Sequence, residues 1–262
     1  MKCILGQGKT SEVFEVKKGN WYCVLKVAKP GYEYAVDHEW EILNALSQNL
    51  PKHRHLPEVL WYGPIHFRGN YTSGIITSPI GIAEKVVPTY SEFCMLAQTL
   101  FDIHSQGFIH RDITPQNIGF CEIDHRGQSE RVPYLRDFGF ALQNQKETAY
   151  QGTIITASNR VLTSLAQGKS HVAVKKRDDL ESLWKSLLLM ISNHRPFVPY
   201  DCSLAVKAER VLQFWDGVAQ HHQSFLDRVY NSSKDGSTYN FGDSIMLLDP
   251  LTSTPKSPKK GK

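Results

Sequence analysis

His110-Arg111-Asp112-Ile113-Thr114-Pro115-Gln116-Asn117, followed downstream by Asp137-Phe138-Gly139, is the stretch on which the reading of this chain turns. It offers a carboxylate at Asp112, an amide five positions later at Asn117, and a second carboxylate at Asp137 in a strand-and-turn context. Such a set suits the activation of a hydroxyl and the holding of a magnesium ion beside a nucleotide, because magnesium prefers hard oxygen donors.

Composition bounds what surrounds that stretch. With 262 residues, 41% hydrophobic and 21% charged, the chain can bury one large core or two small ones and is not disordered as a whole. The net charge of +4 is accounted for by four lysines and no acid in the last twelve residues, Leu251 to Lys262. The body is therefore neutral and carries no electrostatic footprint for nucleic acid. Five cysteines, an odd count without a C-x-x-C pair, argue against a disulfide framework or zinc ribbon and for a reducing, intracellular compartment, cytoplasmic or nuclear. Neither a signal peptide nor a membrane span is expected, since no run approaches about 18 apolar residues. The segment 249–262, rich in Pro, Lys, Ser and Thr, is expected to be a disordered basic tail.

Around the central stretch, hydrophobic patterning places most of the elements. Met1 to Leu5 and Glu12 to Val16 read as strands joined by the turn Gly6-Gln7-Gly8-Lys9-Thr10-Ser11. A dinucleotide-binding G-x-G-x-x-G must open a helix, whereas a strand follows here, so that reading fails; a plain glycine-rich hairpin remains an alternative. Trp21 to Ala28 is strongly β-forming and contains Lys26, which would be costly to bury unpaired and so needs an anion, unless it snorkels to solvent. Tyr34 to Leu46 has helical spacing and carries Glu39 and Glu41. His53 and His55 read as surface residues, not a metal pair. Val59 to Tyr62 and Tyr71 to Ser78 read as strands about an Arg68-Gly69-Asn70 turn. Tyr90 to Gln106 carries the apolar stripe of a core helix that includes Phe101 and stops at Gly107. Ile118 to Ile123 and Val132 to Leu135 form a hairpin around the polar loop 124–130, which brings Asn117 and Asp137 to neighbouring strand ends. Leu180 to Ile191, Leu204 to Leu212 and Phe214 to Tyr230 are helical patterns.

The strings His110-Arg111-Asp112 with Asn117, Asp137-Phe138-Gly139, the glycine loop and Val24-Leu25-Lys26 occur in the order of the protein kinase signatures, and the chain resembles that superfamily. Gly152-Thr153-Ile154-Ile155-Thr156-Ala157-Ser158 and Arg177-Asp178-Asp179-Leu180-Glu181-Ser182-Leu183 resemble the casein kinase 1 group, which also lacks the usual A-P-E. The resemblance implies an α+β bilobal fold: a small antiparallel β lobe with one helix over about residues 1–78, a hinge at about 78–82 and a larger, mainly helical lobe over about 83–248. It implies ATP held by Gly6, Gly8, Ser11, Val13, Val24, Lys26, Thr77 and Ile80, with Thr77 as gatekeeper and the Ile80 backbone facing the adenine edge. It implies Lys26 paired with Glu39, with Glu41 as the fallback, Asp112 orienting the acceptor hydroxyl, and Mg2+ held by Asn117 and Asp137. Asp179 would bond the catalytic-loop backbone, or act simply as a helix N-cap. Arg111 could grip a phosphorylated Thr148 or Tyr150.

The expected activity is transfer of the γ-phosphate to Ser or Thr hydroxyls of a protein substrate by a monomer, with no nucleic-acid or membrane partner. Two departures favour a different class, a weak pseudokinase serving as a nucleotide-binding interaction module. Thr114 stands where serine/threonine kinases place a lysine, which removes a cation near the γ-phosphate, and the region after residue 190 is short for the family. Ile154 replaces an arginine of casein kinase 1, weakening any inference of preference for phosphate-primed substrates. A small-molecule kinase ranks last, since those carry H-G-D in place of His110-Arg111-Asp112.

Overall fold

The structure is a computed structural model, and it describes residues 3–19, 21–51, 53–81, 88–125, 128–143, 147–191 and 195–231. The expected tail at 249–262 lies outside the described residues.

Five strands make one antiparallel sheet: β1 (Cys3–Gln7), β2 (Ser11–Lys18), β3 (Trp21–Ala28), β4 (Glu58–Phe67) and β5 (Asn70–Ser78), in the order β1-β2-β3-β5-β4. Period-2 alternation on β3 sends Leu25 and Val27 to one face, where they pack with Phe14, and Lys26 to the other. Helix α1 (Glu33–Asn49) covers that other face with Ala35, Val36, Ile42, Leu43 and Leu46, and Glu39 sits buried in the middle of this apolar stripe. The Arg68-Gly69 turn takes positive φ at both residues (50° and 86°), the conformation that closes a two-residue hairpin without splaying its strands.

The second half is mainly helical. Helix α2 (Tyr90–Ser105) opens on a capping box in which Thr89 accepts the Glu92 N–H and Glu92 reaches back to the Thr89 N–H. It ends at Gly107, whose φ of 82° is open to glycine without strain. Phe93, Leu96, Ala97, Leu100 and Ile103 are buried in the main core, but Phe101 lies off this face and is 39% exposed, so the expected stripe was too wide by one residue. The helix does more than pack: Glu92 pairs with Arg131 at 2.6 Å.

A short strand β6 (Phe108–Ile109) leads into the 110–117 loop, which closes in a 3-10 turn at Pro115–Asn117. The hairpin of β7 (Ile118–His125) and β8 (Gln128–Leu135) follows, its strands longer and its connection shorter than the polar loop suggested, because the ladder runs out to His125↔Gln128. Beyond β9 (Leu142–Gln143), which pairs with β6, β10 (Glu147–Ala149) pairs with β11 (His171–Ala173) around helix α3 (Asn159–Ala166).

Helix α4 (Lys176–Ile191) begins four residues earlier than the apolar pattern indicated, taking Asp178 and Asp179 into its first turn, where carboxylates are favoured by the helix dipole. The two patterns after residue 203 form one helix, α5 (Leu204–Asn231). The whole is the α+β bilobal fold expected, a five-stranded antiparallel sheet with α1 against a body built on α2 and α4.

One close approach joins the strand after the central loop to the segment after β5. The buried Tyr134 ring crosses above Gly119, its cross-strand neighbour, and reaches Gly81; a Cβ on Gly119 would lie 2.5 Å from Tyr134 Cζ, and one on Gly81 2.1 Å from its hydroxyl. Gly119→Ala is expected to lower stability by about 1–3 kcal/mol, as overpacking does. Thermal unfolding checks this, and Tyr134→Leu in the same chain should recover most of the loss.

Candidate active site

Burying an ammonium requires partners, and Lys26 has two. Its Nζ lies 2.6 Å from Glu39 Oε2 and 2.8 Å from Asp137 Oδ1. Burial by itself would lower the lysine's pKa, but the two carboxylates outweigh it and the net shift is upward, so Lys26 is charged at any working pH. Glu39 is pushed up by burial, with Lys26 opposing, and Asp137 is held down because Lys26 outweighs its desolvation. Glu39 also accepts the Phe138 N–H through Oε1 at 3.2 Å. Glu41, the fallback partner, is turned outward with its side chain 66% exposed.

The 110–117 loop is fixed from below by a carboxylate in α4. Asp179 accepts the N–H groups of His110 (2.7 Å) and Arg111 (2.8 Å) and is bonded to His104 of α2 (2.9 Å). It is therefore a bridge to the loop backbone and not a helix N-cap. Burial would raise its pKa, but the His104 bond and the facing N–H groups bring it below the ordinary carboxylate value. Arg111 takes φ 70°, and its guanidinium bonds the carbonyls of Ala149 (3.2 Å) and Phe140 (3.5 Å). Thr114, where a lysine would stand, caps the 3-10 turn by accepting the Asn117 N–H at 3.2 Å.

That turn points Asn117 at Asp112: Asn117 Nδ2 donates to Asp112 Oδ2 (2.9 Å) and to the Asp112 carbonyl (2.8 Å). The other Asp112 oxygen, Oδ1, accepts the Thr153 N–H at 2.6 Å. Asp112 is raised above the usual aspartate value, by burial first and by the negative charge of Asp137. The β7–β8 ladder holds Asn117 and Asp137 near each other, since Ile118 pairs with Leu135 and the Arg136 N–H bonds the Asn117 carbonyl at 2.9 Å. Asp137 sits at φ 65°, with Phe138 wholly buried against His110 at 4.6 Å between ring centroids.

The expected nucleotide residues lie on or beside β1, β2, β3 and β5 of the sheet. Val13 is opposite Lys26 and Gly6 opposite Val13, while Val24 is opposite Thr77. Gly6 thus belongs to β1 and only Gly8 to the turn, where its N–H bonds the Ser11 carbonyl at 2.9 Å and its own carbonyl accepts from Lys29 Nζ at 2.7 Å. Ser11 is buried at the start of β2. Ile80 follows the end of β5 and is half-buried.

For a divalent cation the donor set fits. Asn117 commits its amide N–H groups to Asp112, leaving Oδ1 for a cation, and Asp137 commits Oδ1 to Lys26 while its side chain keeps 43% exposure. No cluster of three or more His, Cys, Asp or Glu residues suited to a metal occurs among the described residues. Two protein oxygens completed by phosphate and water is how magnesium is commonly held.

Several contributors carried no separate signal. Thr153 reaches Asp112 through its backbone, which any residue would offer. His104 and His38, whose Nε2 lies 2.7 Å from the Ala141 carbonyl, look like helix residues in sequence. His53 and His55 prove half-buried instead of plainly superficial, bonding Asp102 (3.0 Å) and the Pro133 carbonyl (2.6 Å). Of the basic run Lys175, Lys176 and Arg177, the last two lie within the first turn of α4.

Comparison with known proteins bears on the fold. No family model matches the chain. A probable serine/threonine-protein kinase of Dictyostelium discoideum is 41% identical over 87 residues, 32% of this chain and 12% of that protein. A probable casein kinase I homolog of Encephalitozoon cuniculi is 24% identical over 237 residues, 84% of this chain and 68% of that protein. A solved kinase domain superposes with a TM-score of 0.56 at 14% identity, covering 76% of this chain and 65% of its own. The fold is that of a protein kinase domain. In sequence the chain is similar to casein kinase 1 homologues over most of its length. No described helix is long and apolar enough to cross a membrane.

Asp179→Ala leaves two buried N–H groups and His104 without their acceptor, and is expected to cost about 3 kcal/mol at neutral pH. Because the folded pKa of Asp179 is depressed, its contribution is present above the unfolded value of about 3.9 and is lost as pH falls through the folded value. The stability gap between wild type and Asp179→Asn, measured by denaturant titration, should therefore narrow below about pH 4.

Proposed function

We propose that the protein is an ATP- and Mg2+-dependent protein kinase that transfers the γ-phosphate to serine or threonine hydroxyls. The observation that carries this reading is the convergence of Lys26 with Glu39 and Asp137 beside the Asp112–Asn117 pair, side chains drawn from distant parts of the chain. The relatives' names, which include serine/threonine kinases and casein kinase 1 homologues, support the substrate class.

In this reading Lys26, held by Glu39, binds and orients the phosphates of ATP, while the adjoining strand residues enclose the base. Asp112 accepts a hydrogen bond from the substrate hydroxyl and aims its oxygen at the γ-phosphorus. A bond forms from that oxygen to phosphorus, the bond from phosphorus to the β,γ-bridging oxygen breaks, and ADP leaves. The hydroxyl proton passes to Asp112 or to the transferred phosphoryl group. Asn117 and Asp137 would hold magnesium, which neutralises charge on the phosphates when bound. Thr114 offers no cation to the phosphates, so turnover is expected to be slow for the family. The protein substrate, monomeric state and intracellular location belong to the same proposal.

A second reading, a nucleotide-binding module with little turnover, is favoured by the Asp112 contacts. Both of its oxygens already accept hydrogen bonds, one from Thr153 and one from Asn117. ATP-dependent thermal stabilisation without any phosphate transfer would decide for it.

Purified protein with labelled ATP should phosphorylate a generic protein substrate, and Lys26→Met and Asp112→Asn should each lower kcat/KM by about a hundredfold or more. Equal rates in wild type and Asp112→Asn would rule the transfer mechanism out. Since Asp112 works deprotonated and burial raises its pKa, the rate should fall with acid at a pH above about 3.9, the ordinary aspartate value. A pH–rate profile checks the sign.

A further inference from the structure

The segment from Gly152 to Asn159 starts at the Asp112 carboxylate and ends at the first residue of α3. Thr153, at its start, donates to Asp112 Oδ1 at 2.6 Å, so the segment leads directly away from the carboxylate that would meet a substrate hydroxyl. Three side chains from α4 and α5 hold this segment at successive points. Trp215 Nε1 donates to the Ile155 carbonyl at 2.8 Å. Lys185 Nζ donates to the Ala157 carbonyl at 2.6 Å and to Asn159 Oδ1 at 2.8 Å. Glu181, 3.1 Å from Lys185, accepts the Asn159 N–H through Oε1 at 2.7 Å.

Lys185 is the unusual member. It is completely buried, on a helix flanked by Leu183, Trp184 and Leu187, and its Nζ lies 5.1 Å from the centre of the Trp215 ring. Burial depresses its pKa even with Glu181 beside it. An apolar side chain would pack α4 without a charge to desolvate, and buried pairs are often replaceable by apolar residues at no loss of stability. What an apolar residue cannot do is hold a carbonyl and a side-chain oxygen two positions apart in one register. Ser158, between them, is held separately, by its bond to Asp178 at 2.8 Å.

We infer that Lys185, with Glu181 and Trp215, is a positioning residue for the protein substrate: it fixes the 153–159 segment as a docking surface in register with Asp112. This rests on the protein kinase reading, and deepens it by separating the residues that place the protein substrate from those that bind ATP. Neither Lys185 nor Trp215 bonds Lys26, Glu39, Asp112 or Asp137, so their loss acts on one substrate and not on the other.

The test uses the full chain as wild type, Lys185→Met, Lys185→Arg and Trp215→Phe, with casein as the protein substrate. In Lys185→Met, KM for casein should rise about tenfold while KM for ATP stays within about twofold, and Lys185→Arg should restore part of the loss. Trp215→Phe, which keeps an aromatic ring but removes the pyrrole ring with its N–H, should raise KM for casein about threefold and serves alone if Lys185→Met does not fold. An unchanged KM for casein, or a parallel rise for ATP, overturns the inference. Amide hydrogen exchange gives a readout independent of turnover: Thr153, Ala157 and Asn159 should exchange faster in the variants while His110 and Arg111 stay protected. If wild type transfers no phosphate the kinase reading fails by itself, and unchanged exchange at those three amides overturns the anchor.

Discussion

A single ammonium group holds this molecule's two halves in relation. Lys26 lies on the buried face of the sheet, where a charge is tolerated only if paired, and its partners come from α1 and from the turn after β8, 13 and 111 residues away. Glu39 then reaches on to the Phe138 N–H, so sheet, helix and turn share one network. Lys26 keeps one carboxylate if the other is lost, whereas losing Lys26 leaves Glu39 buried without its cation.

The same logic recurs deeper in the body. Asp179 draws His110, Arg111 and His104 around a buried carboxylate, and Lys185 draws the 155–159 stretch onto α4. Asp178, neighbour to Asp179, pairs with Arg160 and accepts from Ser158, tying the start of α3 to the start of α4. Each buried charge therefore fixes one irregular segment whose own backbone has no regular ladder to satisfy it. The 110–117 and 155–159 segments are held by buried carboxylates and an amine, while the β7–β8 hairpin holds Asn117 near Asp137.

Thr114 shows how a departure from pattern can have a structural reason. In sequence it reads as a missing cation; in space its hydroxyl caps the turn that aims Asn117 at Asp112. The capping and the absent charge are independent facts: the first preserves geometry, while the second would matter for phosphate neutralisation under the proposed function.

Much of the fold was legible beforehand because its signals are local. Strand β3 is read to the residue from its run of β-formers, and α1 and α2 from apolar spacing, with a closing glycine after α2. The motif around Asp112, and the pairing of Asn117 and Asp137 through one hairpin, are likewise short-range properties. The start of α4, the continuity of α5 and the outward turn of Phe101 were misjudged, because they depend on what each residue meets across the core. The choice of Glu39 over Glu41 followed from the resemblance, but its physical cause is helical phase against the sheet. By itself the sequence determined which residues could carry charge chemistry and in what order. Only the tertiary structure decided which charges meet, that Thr153 reaches Asp112, and that Lys185 lies inside, because burial and pairing arise between segments remote along the chain and leave no periodic mark on either one.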